Sequence, residues 1–132
     1  QGKVEASPFA MALVSASVAK GETVTPRLVL PAGDPGPQPG PALPADKVGQ
    51  LRDLMRGVVT SGTGTAVLGI PGGPVSAKTG TAEFGQEDPP ETHAWFTGFQ
   101  GDIAFAVLVE GGGFGGEVAA PIAARFLSSI AG

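Results

Sequence analysis

The 132-residue sequence contains no cysteine and no asparagine, and His93 is its single histidine. Without cysteine there are no disulfides and no thiolate metal sites, and one imidazole cannot build a histidine cluster around a metal. The lack of cysteine does not by itself assign a compartment. Charge is scarce too: charged residues make up 15%, and 8 basic against 12 acidic side chains leave a net charge of −4. A phosphate backbone needs a basic field, so this balance counts against nucleic acid as a partner. The longest unbroken apolar run, Ile103 to Val109, falls far short of the roughly 20 residues of a bilayer span, and the segment reads as soluble. No methionine opens the chain and no signal-peptide pattern is visible, so Gln1 reads as the cut end of something longer.

What is present supports one packed domain. Apolar residues make up 42%, while 22 Gly and 13 Pro gather in a few stretches and read as loops. Ser7-Pro8 is a helix start, a hydroxyl cap followed by proline at the first helical position. Phe9, Leu13 and Ala16 follow at helical spacing and Gly21 stops the run, which predicts a helix over 8–20. Arg27 to Leu30 reads as a short strand. The Pro/Gly-rich stretch 31–45 has no periodic apolar face and is expected to be a surface loop. A second helix is expected from about Asp46 to Val59, with Val48, Leu51, Leu54, Met55 and Val58 on one face.

The last third changes character. Val75 to Ala82, Thr92 to Phe99 and Ile103 to Val109 read as three antiparallel strands, a meander over 75–109. Ile103 to Val109 is apolar at every position, which predicts the centre of the sheet. A closing helix is expected over 117–131, with Ile122, Phe126 and Leu127 inward. The fold class is α+β, an antiparallel sheet packed by helices.

Lys78-Thr79-Gly80-Thr81 on the first strand of the meander is the strongest chemical signal. A lysine ammonium stabilises negative charge beside a nucleophile, and threonine hydroxyls can hold a carboxylate. Glycine lets another group approach the strand backbone, and a backbone N–H can donate to an oxyanion. By itself the tripeptide K-T-G is weak, since an ordinary exposed strand end can carry it. K-T-G is also one of three motifs of penicillin-binding proteins and serine β-lactamases.

Its surroundings resemble the transpeptidase domain of class B penicillin-binding proteins over almost the whole chain. Gln1-Gly2-Lys3-Val4, Ser7-Pro8-Phe9 and Met11-Ala12 look like that family's helix-opening segment. Leu51-Arg52, Met55, Val58-Val59 and Gly62-Thr63-Gly64-Thr65 resemble its L-R-x-x-M-x-x-V-V and G-T-G-T block. Lys78 to Glu83 matches its K-T-G-T-A-E strand, His93 to Phe99 its H-A-W-F-x-G-F strand, and Ala119-Ala120-Pro121-Ile122 its final helix.

The resemblance implies that residues 1–132 are the C-terminal portion of a penicillin-binding transpeptidase domain with the serine β-lactamase-like fold. It implies a serine D,D-transpeptidase that cross-links peptidoglycan stem peptides through an acyl-enzyme and is acylated by β-lactams. Lys78, Thr79 and Gly80 are then the catalytic residues, and Thr79 and Thr81 the substrate-binding ones, with the Thr81 N–H half of an oxyanion hole. No metal or organic cofactor is implied. The implied partners are the D-Ala-D-Ala stem peptide, β-lactams, the N-terminal half of the same domain, and cell-division or elongation proteins. The implied location is the extracytoplasmic face of the cytoplasmic membrane, with the anchor upstream. A D,D-carboxypeptidase, a β-lactamase or a β-lactam sensor of the same superfamily remains an alternative, as does a non-catalytic remnant.

Two positions depart from the family pattern. Ala77 stands where glycine is common, and Lys20 replaces the asparagine of an A-N-G-G segment. The second departure creates an apparent S-x-x-K nucleophile motif at Ser17-Val18-Ala19-Lys20, read here as coincidence because the family's nucleophile lies well upstream. S-x-N is impossible without asparagine. The intact enzyme is therefore expected to be active and this piece alone inactive. Other constellations are weaker. Gly72 to Thr79 nearly fits a P-loop, but Ala77 replaces a required glycine and Gly80 follows within a β-like stretch. A triad of Ser76, His93 and Asp102 lacks any G-x-S-x-G, so His93 reads as a hydrogen-bonded strand residue beside Trp95. Glu87, Asp88 and Glu91 read as a solvated hairpin loop, and Trp95, Phe96 and Phe99 as core and cleft wall.

Overall fold

The computed structural model describes residues 4–29 and 31–131. Helix α1 spans Pro8–Lys20, α2 Ala45–Ser61 and α3 Ala119–Ile130; strands β1, β2 and β3 span Val75–Phe84, Glu91–Gln100 and Ile103–Val109, and a 3-10 turn covers Thr65–Val67. The Ser7 hydroxyl accepts the Ala10 N–H at 3.2 Å, which with Pro8 starts α1. Gly21 ends it at φ 79°, a left-handed conformation that glycine adopts without a Cβ clash. Arg52 of α2 then donates from Nε to the Val18 carbonyl at 2.9 Å and from Nη2 to the Ala19 carbonyl at 2.7 Å. These are last-turn carbonyls with no partner inside the helix, so the guanidinium both caps α1 and fixes its spacing from α2.

The sheet is an antiparallel meander in the order β1-β2-β3. Lys78 faces Thr97 and Gly80 faces Trp95 in one pairing, and Phe96 faces Val107 in the next. The central strand is therefore β2, not Ile103 to Val109. Two short hairpins force each strand beside its sequence neighbours, so the middle strand in sequence is the middle strand in space. The apolar run of β3 packs against α1 and α3, but only Phe105 is buried, the rest are half-buried and Ile103 is 42% exposed, so burial on both faces is not reached either.

Strand alternation divides the chemistry. Val75, Ala77, Ala94, Phe96 and Phe105 belong to one core with Ala119, Ala120, Ala123 and Leu127 of α3, Val59 of α2 and Val67. Lys78, Gly80, Trp95 and Thr97 point the other way, toward α1. There the Ser15 and Thr97 hydroxyls lie 2.7 Å apart, and Thr97 Oγ1 also contacts the Met11 and Phe105 carbonyls at 3.2 and 2.9 Å.

Two further expectations are corrected. Arg27 to Val29 form no strand, and Leu30 lies outside the described residues; Leu28 and Val29 are exposed, and Arg27 pairs with Asp34 across the Pro/Gly-rich loop. The backbone pairing occurs at the loop's base instead, where Glu22 bridges Ala42. In α3, Leu127 is buried as expected but Phe126 is 45% exposed. Ala119, Ala120, Ala123 and Leu127 form the buried stripe, and Phe126 and the half-buried Ile122 lie on its flank.

Candidate active site

Among the described residues β1 has a strand partner on one side only, so every second residue turns its N–H and C=O to the open edge. Two side-chain contacts show which residues do so. Arg56 Nη1 donates to the Val75 carbonyl at 2.7 Å and Lys78 Nζ to the Thr79 carbonyl at 2.6 Å. Val75 and Thr79 share parity with Thr81, so the Thr81 N–H is also directed to the open edge. Arg56 meanwhile ties the start of β1 to α2.

The side chains of the motif leave the strand on opposite faces. Lys78 is exposed at the mouth of an apolar groove of about 480 Å³ between α1 and α2, lined by Met11, Val14, Val18, Leu51, Leu54 and Val58. It also borders a smaller hollow that reaches Val4, Ala6, Gly80 and Trp95. Among the described residues no carboxylate pairs with its ammonium.

On the other face, Thr79 and Thr81 share a hollow of about 370 Å³ with Thr63, Thr65, Phe114, Gly115, Gly116 and Glu117. Thr63 Oγ1 and Thr79 Oγ1 are 2.6 Å apart. The loop between β3 and α3 forms the floor of this hollow. A Cβ on Gly115 would lie 2.3 Å from the Trp95 carbonyl oxygen and 2.4 Å from that of Gly80, so only glycine lets the loop rest on the strand there. The lysine and the two threonines thus flank one free strand edge, a cation on one side and hydroxyls on the other.

The remaining candidates are not brought together. His93 faces Ala82 on β1, whereas Ser76 lies six residues away, on the order of 20 Å along a strand, so there is no Ser76-His93-Asp102 triad. Lys78 and Thr79 lie inside β1 with no helix opening behind them, which removes the phosphate cradle of a P-loop. The Ser17 hydroxyl donates to the Leu13 carbonyl at 2.8 Å and accepts the Val24 N–H at 3.0 Å, while Lys20 pairs with Glu22 at 3.7 Å. Glu87, Asp88 and Glu91 are solvent-exposed.

The model of the penicillin-binding protein transpeptidase domain matches residues 1–128. The chain belongs to this family. It is 36% identical to the peptidoglycan D,D-transpeptidase PbpA of Mycobacterium tuberculosis over 145 aligned residues, covering 92% of this chain and 28% of that protein. The fold matches the crystal structure of Pseudomonas aeruginosa PBP2 in complex with WCK 5153 with a TM-score of 0.79 and 29% identity, over 98% of this chain and 31% of that one. It matches the imipenem acyl-enzyme complex of penicillin-binding protein A from M. tuberculosis with a TM-score of 0.70 and 30% identity, over 98% and 33%. The complex of Helicobacter pylori PBP2 with MreC gives a TM-score of 0.76 and 25% identity, over 98% and 26%. This transpeptidase-family chain therefore spans about a third or less of the length of the relatives it matches.

Sequence reasoning missed several contacts at this site. Thr63 was legible as part of a G-T-G-T block, but nothing in that block pairs it with a residue sixteen positions later. Arg56, Ser15 and Thr97 carry no motif of their own, and Gly115 stands in a run of glycines whose individual roles only the tertiary contacts separate.

Proposed function

We propose that this chain is the C-terminal portion of a penicillin-binding transpeptidase domain and carries one bank of its active-site cleft. The observation that carries the reading is the arrangement at the open edge of β1, with Lys78 on one face and Thr79 and Thr81 on the other, in a chain that matches the family over residues 1–128. A serine elsewhere in the intact protein attacks the carbonyl of the penultimate D-Ala in a stem peptide. Its hydroxyl proton departs, the peptide C–N bond breaks, and the terminal D-Ala leaves with a proton on its nitrogen. An amine from a second stem peptide then attacks the acyl-enzyme, takes the acyl group and frees the serine. Thr79 and Thr81 hydroxyls hold the terminal carboxylate, the Thr81 N–H supports the oxyanion, and Lys78 stabilises negative charge in the cleft.

The apolar groove beside Lys78 receives an apolar element from the rest of the domain, which places the attacking hydroxyl opposite the lysine. The short length of this chain against its relatives supports that reading, and so does the commitment of Ser17 to two backbone groups. Among the described residues no helix is long and apolar enough to cross a membrane, so in this reading the anchor and the extracytoplasmic location belong to the intact protein. The similarity to the H. pylori PBP2 structure supports a cell-shape partner of the MreC kind.

The test is covalent labelling of the intact protein with a fluorescent penicillin, followed by mass mapping of the modified peptide. The expected result is an acylated serine outside this chain, and no labelling of the chain alone. Acylation at Ser17, or an intact protein that takes no label, overturns the proposal. Transfer to an added D-amino acid separates a transpeptidase from a carboxypeptidase, which only hydrolyses.

A further inference from the structure

His93 makes two contacts that the reaction above does not use. Its ring stacks on Phe84, with centroids 3.9 Å apart and planes 14° from parallel, and its Nδ1 accepts the Gly111 N–H at 3.1 Å. Gly111 opens the loop whose Gly115 rests on the Gly80 and Trp95 backbones and floors the threonine hollow. The next anchor of that loop is the Gly113 N–H, which donates to the Thr92 carbonyl at 3.1 Å. At its far end, the Gly115 carbonyl accepts the Ala119 and Ala120 N–H groups at 3.1 and 2.9 Å and so starts α3. The loop is held to the sheet at one end by a titratable side chain and continues at the other into the last helix.

The proton count decides what that anchor can do. The Gly111 N–H carries the hydrogen of the bond, so Nδ1 must present its lone pair and a neutral ring keeps its proton on Nε2. An imidazolium carries hydrogens on both nitrogens. Its Nδ1–H would then face the Gly111 N–H donor to donor, and the contact would be lost. The hollow that His93 lines also includes the carboxylates Glu5 and Glu83 and no basic residue; Glu83 leaves β1 on the opposite face, and Glu91 and Glu110 are the charged residues nearest in sequence to His93 and Gly111.

We propose that His93 is a positioning residue for acylation: its neutral ring latches the 111–116 loop onto the motif strand, and protonation releases it. The threonine hollow is then well formed while the ring is neutral and loosened once it carries the second proton. The proposal rests on the function assigned above, and its test separates the two.

The experiment compares the intact protein with His93→Asn, whose Oδ1 supplies a non-titrating acceptor near the Nδ1 position, and His93→Phe, which keeps an aromatic ring but no acceptor. Each is measured at about pH 8 and about pH 5.5, a span across which histidines change charge. The first readout is the second-order rate of acylation by a fluorescent penicillin; the second is hydrogen exchange in peptides spanning 110–118, compared between proteins at the same pH. At the higher pH, wild type and His93→Asn acylate alike and His93→Phe about five-fold more slowly. On acidification the wild type falls about five-fold further than His93→Asn, and its loop exchanges as fast as that of His93→Phe. A wild-type to His93→Asn ratio that stays constant with pH, in both readouts, overturns the latch. So does a His93→Phe loop as protected at the higher pH as the wild-type loop. If His93→Phe does not fold, the His93→Asn ratio alone decides. Exchange that follows the expected pattern in a protein that never acylates keeps the latch and discards the functional reading.

Discussion

On the α3 side of the sheet, Ala94, Phe96, Ala120 and Leu127 are fully enclosed by residues of the chain itself; on the α1–α2 side, Val14 and Leu54 remain 53% and 70% exposed around an open groove. The same three strands supply both faces. One face is closed by a row of alanines that lets α3 approach closely, and the other holds two helices apart, with Arg52 fixing their spacing and Lys78 at the groove's mouth. The difference separates two jobs. The closed face sets the stability of the unit, and the open face offers an unsatisfied apolar surface beside the one cation of the motif. An apolar groove bordered by an ammonium that has no carboxylate partner among the described residues is a poor place to gain stability and a suitable one for a cleft completed by another part of the protein.

Substitutions at four positions in the intact protein test that contrast. Leu127→Ala opens a cavity in the closed core and is expected to cost about 3 kcal/mol in denaturant unfolding; a loss below about 1 kcal/mol would show that α3 is loosely seated. Lys78→Ala should leave unfolding nearly unchanged while lowering the rate of penicillin acylation about a hundred-fold. Acylation at the wild-type rate would place the reactive side of the sheet elsewhere. Leu54→Ser should destabilise by about 1.5 kcal/mol under the proposed reading, in which the rest of the domain covers that exposed leucine. An effect near zero would mean the groove stays open to water. The smallest change, about 1 kcal/mol, is expected for Thr97→Val, which removes the hydroxyl that the buried Ser15 contacts. Thr97→Ser should restore most of it.

Much of the fold was legible because it is set by near neighbours. Ser7, Pro8 and Gly21 bound α1, and the turn residues between 85 and 90 and between 100 and 102 separate three strands, from short-range rules alone. Position within the sheet was not legible in the same way. Seven consecutive apolar residues in β3 predict burial on both faces at the sheet centre, yet the strand is an edge strand under two helices in which only Phe105 is buried, the others are half-buried and Ile103 is exposed. Arg27 to Val29 have the residue types of a strand but no neighbouring edge to pair with. Phe126 has an apolar side chain at helical spacing, yet the buried stripe runs through Ala119, Ala120, Ala123 and Leu127 and leaves the ring on its exposed flank.

For the candidate site, the motif was legible as chemistry and its surroundings were not. Lys78, Thr79, Gly80 and Thr81 stand together in the sequence. Thr63 and Gly115 meet them only because the end of α2 and the β3–α3 loop arrive at the same two residues of β1. His93 read as a hydrogen-bonded strand residue, and its partner proved to be a backbone N–H eighteen positions away.

By itself the sequence determined the helices, the hairpins and the family, since caps, periodicity and ordered motif blocks need only local or linear information. Tertiary structure alone decided that β1 has an open edge, that its cation and its hydroxyls fall on opposite sides of it, and that one face is closed while the other is not. Those properties depend on which surfaces meet, and side-chain alternation acquires a functional meaning only once a neighbour is present on one side and absent on the other.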